Sequence, residues 1–99
     1  MTIYAAPGYF LKTENHRGLN LAVTMGMFSI NGYVELLTGH PWLELDYMDI
    51  PADVHGGITY KEGALIGFDT AHAGDDVWTQ EEVLTEARHL ADQAANATK

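Results

Sequence analysis

The sequence predicts an α+β fold, a mostly antiparallel sheet of four to five strands with one C-terminal helix packed on it. Apolar segments rich in β-branched and aromatic residues, separated by glycine and asparagine turns, continue to residue 69. A segment with helical periodicity follows them. Because the strands precede the helix instead of alternating with it, the pattern is typical of an α+β domain. We assign the whole chain, 1–99, to a single domain.

The first half of the chain reads as a series of strands joined by tight turns. Residues 8–13 are predicted to form a first strand, and residues 14–18 a polar loop. Residues 19–30 are largely apolar and are predicted to form the second strand. Asn31 and Gly32 both tolerate positive φ, so we expect them to form a hairpin turn that leads into a strand at residues 33–37.

The middle of the chain predicts an ordered loop followed by a second hairpin. Residues 42–51 mix aromatic and acidic residues without a regular period, which indicates a loop. Residues 54–60 and 64–69 are predicted to be the two strands of the hairpin. One edge of such a sheet would stay unpaired, and we expect a homo-oligomer to cover it.

The C-terminal helix has the clearest signal in the sequence. Thr79 and Glu82 form a Thr-x-x-Glu capping box, in which each side chain binds the other residue's backbone N–H group. The helix is predicted to end near Ala95. Its apolar stripe consists of Val83, Leu84, Ala87, Leu90, Ala91 and Ala94.

The composition restricts the classes of partner. The formal net charge is −9, and residues 44–76 contain eight acidic side chains against the single base Lys61. Duplex nucleic acid is therefore not expected as a partner, since its binding depends on cationic contacts to phosphates. The acidity is open to three interpretations: solubility, docking on a basic protein, or help in holding a cation.

Features that the sequence lacks exclude several other classes of protein. There is no cysteine, which excludes disulfides, thiolate metal sites and cysteine nucleophiles. No apolar run approaches the roughly 20 residues that span a membrane. The first residues have neither a basic region nor an apolar region of a signal peptide. We therefore expect a cytoplasmic protein that does not contact membranes.

Two segments, 54–60 and 67–75, place glycines beside histidines and carboxylates and predict a site. His55, Asp69, His72 and Asp75 could converge if the hairpin folds as expected. They would suit zinc, manganese or iron(II), or a general acid/base pair, although the spacing matches no established metal motif. The alternative is that they form local hydrogen bonds to the backbone.

Glycines and aromatic side chains in the same segments favour ligand binding over catalysis. Gly56 and Gly57 could present backbone N–H groups to an anion or a planar ring, or could instead form a β-bulge. Nearby tyrosine and tryptophan rings, including Tyr60, could stack on a ligand. We assign no catalytic residue, metal ligand or cofactor. The predicted ligand-binding residues are Tyr33, Trp42, His55, Gly56, Gly57, Thr59, Asp69, His72 and Asp75.

The ordered blocks 31–34, 39–42, 46–50, 54–60 and 67–75 resemble those of a family of small proteins encoded in bacteriophage genomes. The most specific blocks are Val-His-Gly-Gly-Ile-Thr-Tyr and Gly-Phe-Asp-Thr-Ala-His-Ala-Gly-Asp. Here Ala-Leu-Ile replaces an aromatic pair, and a threonine stands where the family often has cysteine. The family has no agreed biochemical function. The resemblance implies a phage accessory protein. Since small proteins of this kind often counter host defence, we expect the same role for this chain inside an infected bacterium.

Three functions remain open from the sequence. The first is sequestration of a small ligand, such as a nucleotide immune signal, by a binding module. The alternative is an acidic inhibitor that binds a host defence protein directly. The second alternative is a small metal-assisted hydrolase that uses the histidines and aspartates.

Overall fold

A five-stranded antiparallel sheet with one helix across a single face forms the fold, which confirms the predicted α+β class. The computed structural model describes residues 2–71 and 77–98. The strands lie in the order β1-β2-β3-β5-β4, so β1 and β4 are the two edges. The elements are β1 (Tyr9–His16), β2 (Leu19–Met25), β3 (Ile30–Glu35), β4 (Tyr60–Glu62), β5 (Leu65–Phe68) and helix α1 (Gln80–Asn96).

The helix begins and packs as its sequence predicts. Thr79 Oγ1 accepts a hydrogen bond from the Glu82 backbone N–H at 3.1 Å, and Glu82 Oε1 accepts one from the Thr79 N–H at 2.9 Å. This reciprocal pair satisfies two donors of the first helical turn. Every member of the predicted apolar stripe is buried, and the stripe packs on Val34, Ile66 and Phe68 of the sheet.

The predicted hairpin turn at Asn31 and Gly32 is wrong. Both residues lie inside β3, where Gly32 pairs with Val23 of β2. The chain reverses earlier, at residues 26–29, where the Gly26 N–H donates to the Ser29 carbonyl at 2.8 Å. A Cβ atom at position 32 would lie 2.6 Å from Phe68 Cζ, so this glycine serves close packing instead of a turn.

The predicted strand at residues 54–60 is also mostly wrong. Only Tyr60 belongs to a strand, and the Gly57 N–H donates to the Val54 carbonyl at 2.9 Å in a turn. Gly56 and Gly57 have φ values of 73° and 79°. Two consecutive residues with positive φ interrupt a strand, and glycine adopts them at little steric cost. The glycines therefore form a turn, not a β-bulge.

The edge strand β1 continues beyond residue 13, where it was predicted to end. Ion pairs connect this strand to helix α1. Arg88 donates to both carboxylate oxygens of Glu14, each at 2.7 Å. His16 Nε2 lies 2.8 Å from Asp92 Oδ1, which also accepts from Arg17 at 3.3 Å. Residues 14–16 of the predicted polar loop thus belong to β1, where they pair with β2, and residues 17 and 18 form the turn between the two strands.

The opposite face of the sheet carries a smaller apolar cluster. Tyr33 packs there with Ile3 and Leu65. Its ring lies across Gly67, where an added Cβ atom would collide with Tyr33 Cδ1, and it meets Tyr60 edge-on with centroids 5.4 Å apart. Burial raises the pKa of the Tyr33 hydroxyl, and the neighbouring Tyr60 adds to the rise.

No helix in the described ranges has the length and apolar character needed to cross a membrane. The expected homo-oligomer that would cover an edge strand stays a prediction.

Candidate functional site

Two of the rings predicted to stack on a ligand, Tyr33 and Trp42, lie on opposite faces of the sheet. Trp42 is 4% exposed within the core beneath the helix, whereas Tyr33 is 5% exposed in the cluster on the other face. Successive residues of a strand point to opposite faces, so the side chain of Tyr33 is directed away from the helix while that of Val34 points toward it. The structure therefore does not bring Tyr33 and Trp42 to a common site.

A buried histidine holds Trp42 in place. His40 Nδ1 lies 3.0 Å from the Trp42 backbone N–H, and Nε2 lies 2.8 Å from the Ala94 carbonyl. A backbone N–H can only donate and a carbonyl can only accept, so His40 carries its proton on Nε2 and accepts at Nδ1. Both ring nitrogens are satisfied, which identifies His40 as a structural link between the loop and helix α1.

The His55-Gly56-Gly57 segment forms a turn against the helix. The His55 backbone N–H donates to Glu86 Oε2 at 2.8 Å. The His55 imidazole packs on the Trp78 indole, with centroids 4.6 Å apart and planes inclined by 47°. The turn therefore fixes the position of His55, and the His55 ring packs against one side of the Trp78 indole.

Asp69 and Thr59 are brought together at the end of β5. The Thr59 hydroxyl donates to Asp69 Oδ2 at 3.0 Å, and Asp69 Oδ1 accepts from the Ala71 N–H at 3.1 Å. The contact with Ala71 is a local hydrogen bond between a side chain and the backbone. Such bonds were the predicted alternative to a ligand site for these residues. The predicted site residues His72 and Asp75 lie outside the described residues.

Thr70 and Ala71, which follow Asp69 in the chain, help to line a groove whose surface is more apolar than polar, and we call it the apolar groove. It has a volume of about 450 Å³ and is formed by residues 25–30 together with Thr70, Ala71, Val77 and Trp78. Thr70 anchors its base, because its buried hydroxyl donates to the Ile30 carbonyl at 2.9 Å. Met27 and Phe28 are 89% and 87% exposed at its rim.

A second, shallower depression also borders Trp78. Its volume is about 350 Å³, most of its lining surface is apolar, and it is lined by Trp78, Glu81, Glu82, Thr85 and Glu86. Trp78 is thus a wall of both depressions. No lysine or arginine among the described residues lines either of them.

Three of the basic side chains are engaged elsewhere. Arg88 binds Glu14, and Arg17 binds Asp92. Lys61 donates to the carbonyls of Leu43 and Gly63 at 3.0 and 3.2 Å. In the part of the chain that the structure describes, no three histidine, aspartate or glutamate side chains are placed to hold a metal ion.

The sequence reasoning did not identify Phe28 and Trp78 as site residues. One signal was present: residues 25–28 are Met-Gly-Met-Phe, large apolar side chains interrupted by glycine, with no alternation that would bury them in a strand. For Trp78 the sequence offered no signal, since its position beside His55 results from long-range packing of the helix.

Comparisons with protein-family models, curated proteins and solved structures found no match to this chain. The resemblance to small phage proteins therefore stays a prediction.

Proposed function

We propose that the protein is a binding module that holds and sequesters a small ligand in the apolar groove. The observation that carries the proposal is the groove itself, about 450 Å³ between the 26–29 turn and Trp78. Pockets for small ligands commonly have volumes of roughly 300–1,000 Å³ and apolar or aromatic walls. In this proposal Phe28 and Trp78 supply the stacking surfaces that the sequence assigned to Tyr33, Trp42 or Tyr60.

Polar groups beside the groove support a ligand with a defined orientation. Asp69 directly precedes the buried Thr70 of the groove, and His55 packs on its Trp78 wall. A few polar groups around an apolar pocket fix the orientation of a ligand and give specificity. Neither His55 nor Asp69 lines the groove itself, but each lies next to a residue that does, and we place these two predicted ligand-binding residues beside it.

The biological setting of this proposal comes from the sequence. The resemblance to phage proteins implies an accessory protein that counters host defence in the cytoplasm of an infected bacterium. A nucleotide immune signal stays the sequence-based example of the ligand. The charges disfavour an anionic ligand, because the described lysines and arginines lie outside the groove.

A capture-and-release assay tests sequestration. The purified protein is incubated with cyclic and linear nucleotides and, separately, with the small-molecule filtrate of a bacterial extract. Mass spectrometry then compares the unbound fraction with the fraction released by heat. We expect a compound that is depleted in stoichiometric amount and returned intact. A compound returned chemically altered would favour the metal-assisted hydrolase, and no depletion from either pool would refute sequestration.

Variants at exposed positions locate the binding. Met27→Ser with Phe28→Ser removes rim side chains that are 89% and 87% exposed, so the fold should be unaffected. Met48→Ser with Tyr9→Ser removes two side chains that are each 75% exposed elsewhere. We expect the first pair to abolish capture and the second to retain it.

A direct protein partner is the second candidate, and the exposed apolar rim favours it. Met27, Phe28 and Val77 are each at least 87% exposed, and contiguous apolar surface of this kind often marks a protein contact. This candidate predicts that charge reversal at Glu44 and Asp49 abolishes the biological activity, whereas His55→Ala does not. Sequestration predicts that the charge reversal leaves the biological activity in place and that His55→Ala reduces it.

A further inference from the structure

The outer edge of strand β1 is the longer of the two sheet edges. β1 (Tyr9–His16) has eight residues, whereas β4 (Tyr60–Glu62) at the other edge has three. Within the described part of the chain, β2 is the one strand that pairs with β1. An edge of this length presents a row of backbone N–H and C=O groups that a strand of another chain can bind.

The register of β1 against β2 shows which backbone groups point outward. His16 pairs with Leu19 across a two-residue turn, and such a closing pair exchanges both of its backbone hydrogen bonds. The pattern alternates along an antiparallel ladder, so Glu14 also bonds to β2. The N–H and C=O groups of Thr13 and Asn15 therefore point away from β2 and are available to a further strand.

The distribution of charge favours a second copy of this chain at the β1 edge. Residues 1–34 contain one acidic side chain, Glu14, and two basic ones, Lys12 and Arg17. The remaining residues contain thirteen acidic and three basic side chains. Two copies of the chain repel each other where these acidic surfaces meet. The segment that forms β1 lacks this excess of acid, so two copies can approach there without that repulsion.

The two opposite charges of β1 also select one register for the pairing of two copies. A two-fold axis between antiparallel edge strands is perpendicular to the sheet, so residues that lie opposite each other share a face. With the axis at Thr13, Lys12 of each copy lies opposite Glu14 of the other, and the outward groups of the two Thr13 residues bond to each other. An axis at Lys12 or at Glu14 would instead place like charges opposite each other, which is destabilising.

Existing contacts prepare Glu14 for this role. Arg88 donates to both of its carboxylate oxygens at 2.7 Å, which holds the side chain on the helix face of the sheet. Lys12 is exposed and lies two residues away on the same strand, so its side chain points to the same face. The pairing would therefore add Lys12 of the second copy to an ion pair that is already in place.

We propose that the protein forms a symmetric dimer in which the β1 strands of two copies pair antiparallel about Thr13. The two sheets then form one continuous sheet with both helices on the same face. A bulge between Phe10 and Lys12 interrupts regular pairing toward Tyr9. The interface is therefore smaller than the roughly 1,200 Å² of a standard complex, and we expect a dissociation constant in the micromolar range. This inference goes beyond ligand binding and does not depend on it.

Sedimentation and amide hydrogen exchange of the full chain test the dimer. Sedimentation velocity across the micromolar range should show a reversible monomer–dimer equilibrium. Hydrogen exchange of the ¹⁵N-labelled chain should become slower at Thr13 and Asn15 as the protein concentration rises. Glu14 serves as the internal reference, because its N–H group faces β2 and its exchange should not depend on concentration.

A proline at position 13 tests the backbone pairing. Thr13→Pro removes an N–H group that faces away from β2, so it blocks the second copy while the ladder with β2 is retained. We expect the dissociation constant of the dimer to rise at least about tenfold, since each copy loses a central hydrogen bond and gains a steric block. Thr13→Val retains the N–H group and should change the constant about twofold or less. Urea unfolding of dilute samples verifies that both variants fold.

A charge reversal tests the register. Lys12→Glu places like charges opposite each other at two positions of the dimer and should raise the dissociation constant about tenfold. Lys61→Glu changes the net charge equally but lies on β4, the opposite edge. It should change the dissociation constant about twofold or less.

Each possible outcome bears on the proposal. Association that Thr13→Pro and Lys12→Glu weaken, and that Thr13→Val and Lys61→Glu retain, would support it. A chain that stays monomeric at about 1 mM would overturn it. So would a dimer that tolerates Thr13→Pro, or an equal loss of affinity in Lys12→Glu and Lys61→Glu, which would indicate a general effect of charge. None of these results affects the ligand-capture assay, so the proposed function can fail or succeed separately.

Discussion

The imidazole of His55 packs against the indole of Trp78, with ring centroids 4.6 Å apart. This contact connects the glycine turn to the apolar groove. The sequence predicted the turn as part of a site but did not predict the groove. Glu86 strengthens the junction by accepting the His55 backbone N–H at 2.8 Å. The His-Gly-Gly turn thereby acts as the support for one wall of the groove.

His55→Ala should weaken ligand binding more than it weakens the fold. The variant keeps the backbone bond to Glu86 but removes the ring that backs Trp78. We expect the affinity for 2-phenylethanol, a small uncharged aromatic probe, to fall about threefold or more, with a loss of roughly 1 kcal/mol in the free energy of unfolding. Calorimetry and urea unfolding measure the two effects. His89→Ala, on the exposed face of the helix, is the control and should change neither.

Gly32→Ala should destabilise the fold because its Cβ atom would collide with the ring of Phe68. The calculated approach to Phe68 Cζ is 2.6 Å, and both residues are buried. We expect a cost of roughly 1–3 kcal/mol in urea unfolding, as for other overpacked cores. Adding Phe68→Leu should cost less than the sum of the two single changes, because the smaller side chain relieves the collision. Strict additivity of the two costs would contradict this packing.

His40→Ala should be among the most destabilising polar substitutions. It leaves the Trp42 N–H and the Ala94 carbonyl without their ring partner in a buried setting. We expect a cost of about 2–3 kcal/mol by urea unfolding. His40→Asn should cost less, since asparagine can still accept from the Trp42 N–H as a cap. Equal costs for the two variants would argue against the cap.

Acid should destabilise the fold by protonating Glu14 and Asp92. The Arg88 hydrogen bonds hold the pKa of Glu14 below its ordinary value of 4.5, and His16 and then Arg17 hold the pKa of Asp92 below 3.8. Because both pKa values are lower in the folded chain than in the unfolded chain, the unfolded state binds more protons at acid pH. The stabilisation is complete above the ordinary values and is lost as the pH falls through the folded-state values.

Urea midpoints measured from pH 7 to pH 3 check this dependence. We expect the midpoint to decrease once the pH approaches 4.5, and Glu14→Gln with Asp92→Asn to flatten the decrease. Salt should reduce the effect, since Asp92 is 42% exposed. Glu44→Gln is the control. A profile as steep in the double variant as in the wild type would refute the assignment.

The helix and the fold class could be predicted because their signals are local. The Thr79–Glu82 box and the apolar stripe specify helix α1 within one segment. Asn31 and Gly32 misled the sequence reasoning, since glycine serves turns and close packing alike and only the position of Phe68 distinguishes them.

The candidate site was harder to predict from the sequence than the helix and the fold class, because it depends on long-range contacts. Tyr33 and Trp42 are close along the chain, yet they pack in different cores. Phe28, which belongs to the groove, lies near them in sequence but in the 26–29 turn. Trp78 reaches His55 only after the helix has packed on the sheet.

The indole N–H resonances of the two tryptophans provide the most direct test of the central claim, that ligands bind against Trp78. The ¹⁵N-labelled protein is titrated with 2-phenylethanol, and Trp78→Phe and Trp42→Phe assign the two signals. Trp42 is 4% exposed beneath the helix, whereas Trp78 lines the groove. We expect the Trp78 signal to shift saturably while the Trp42 signal stays in place. A saturable shift of Trp42 alone, or no shift of Trp78 at any concentration, would contradict the account.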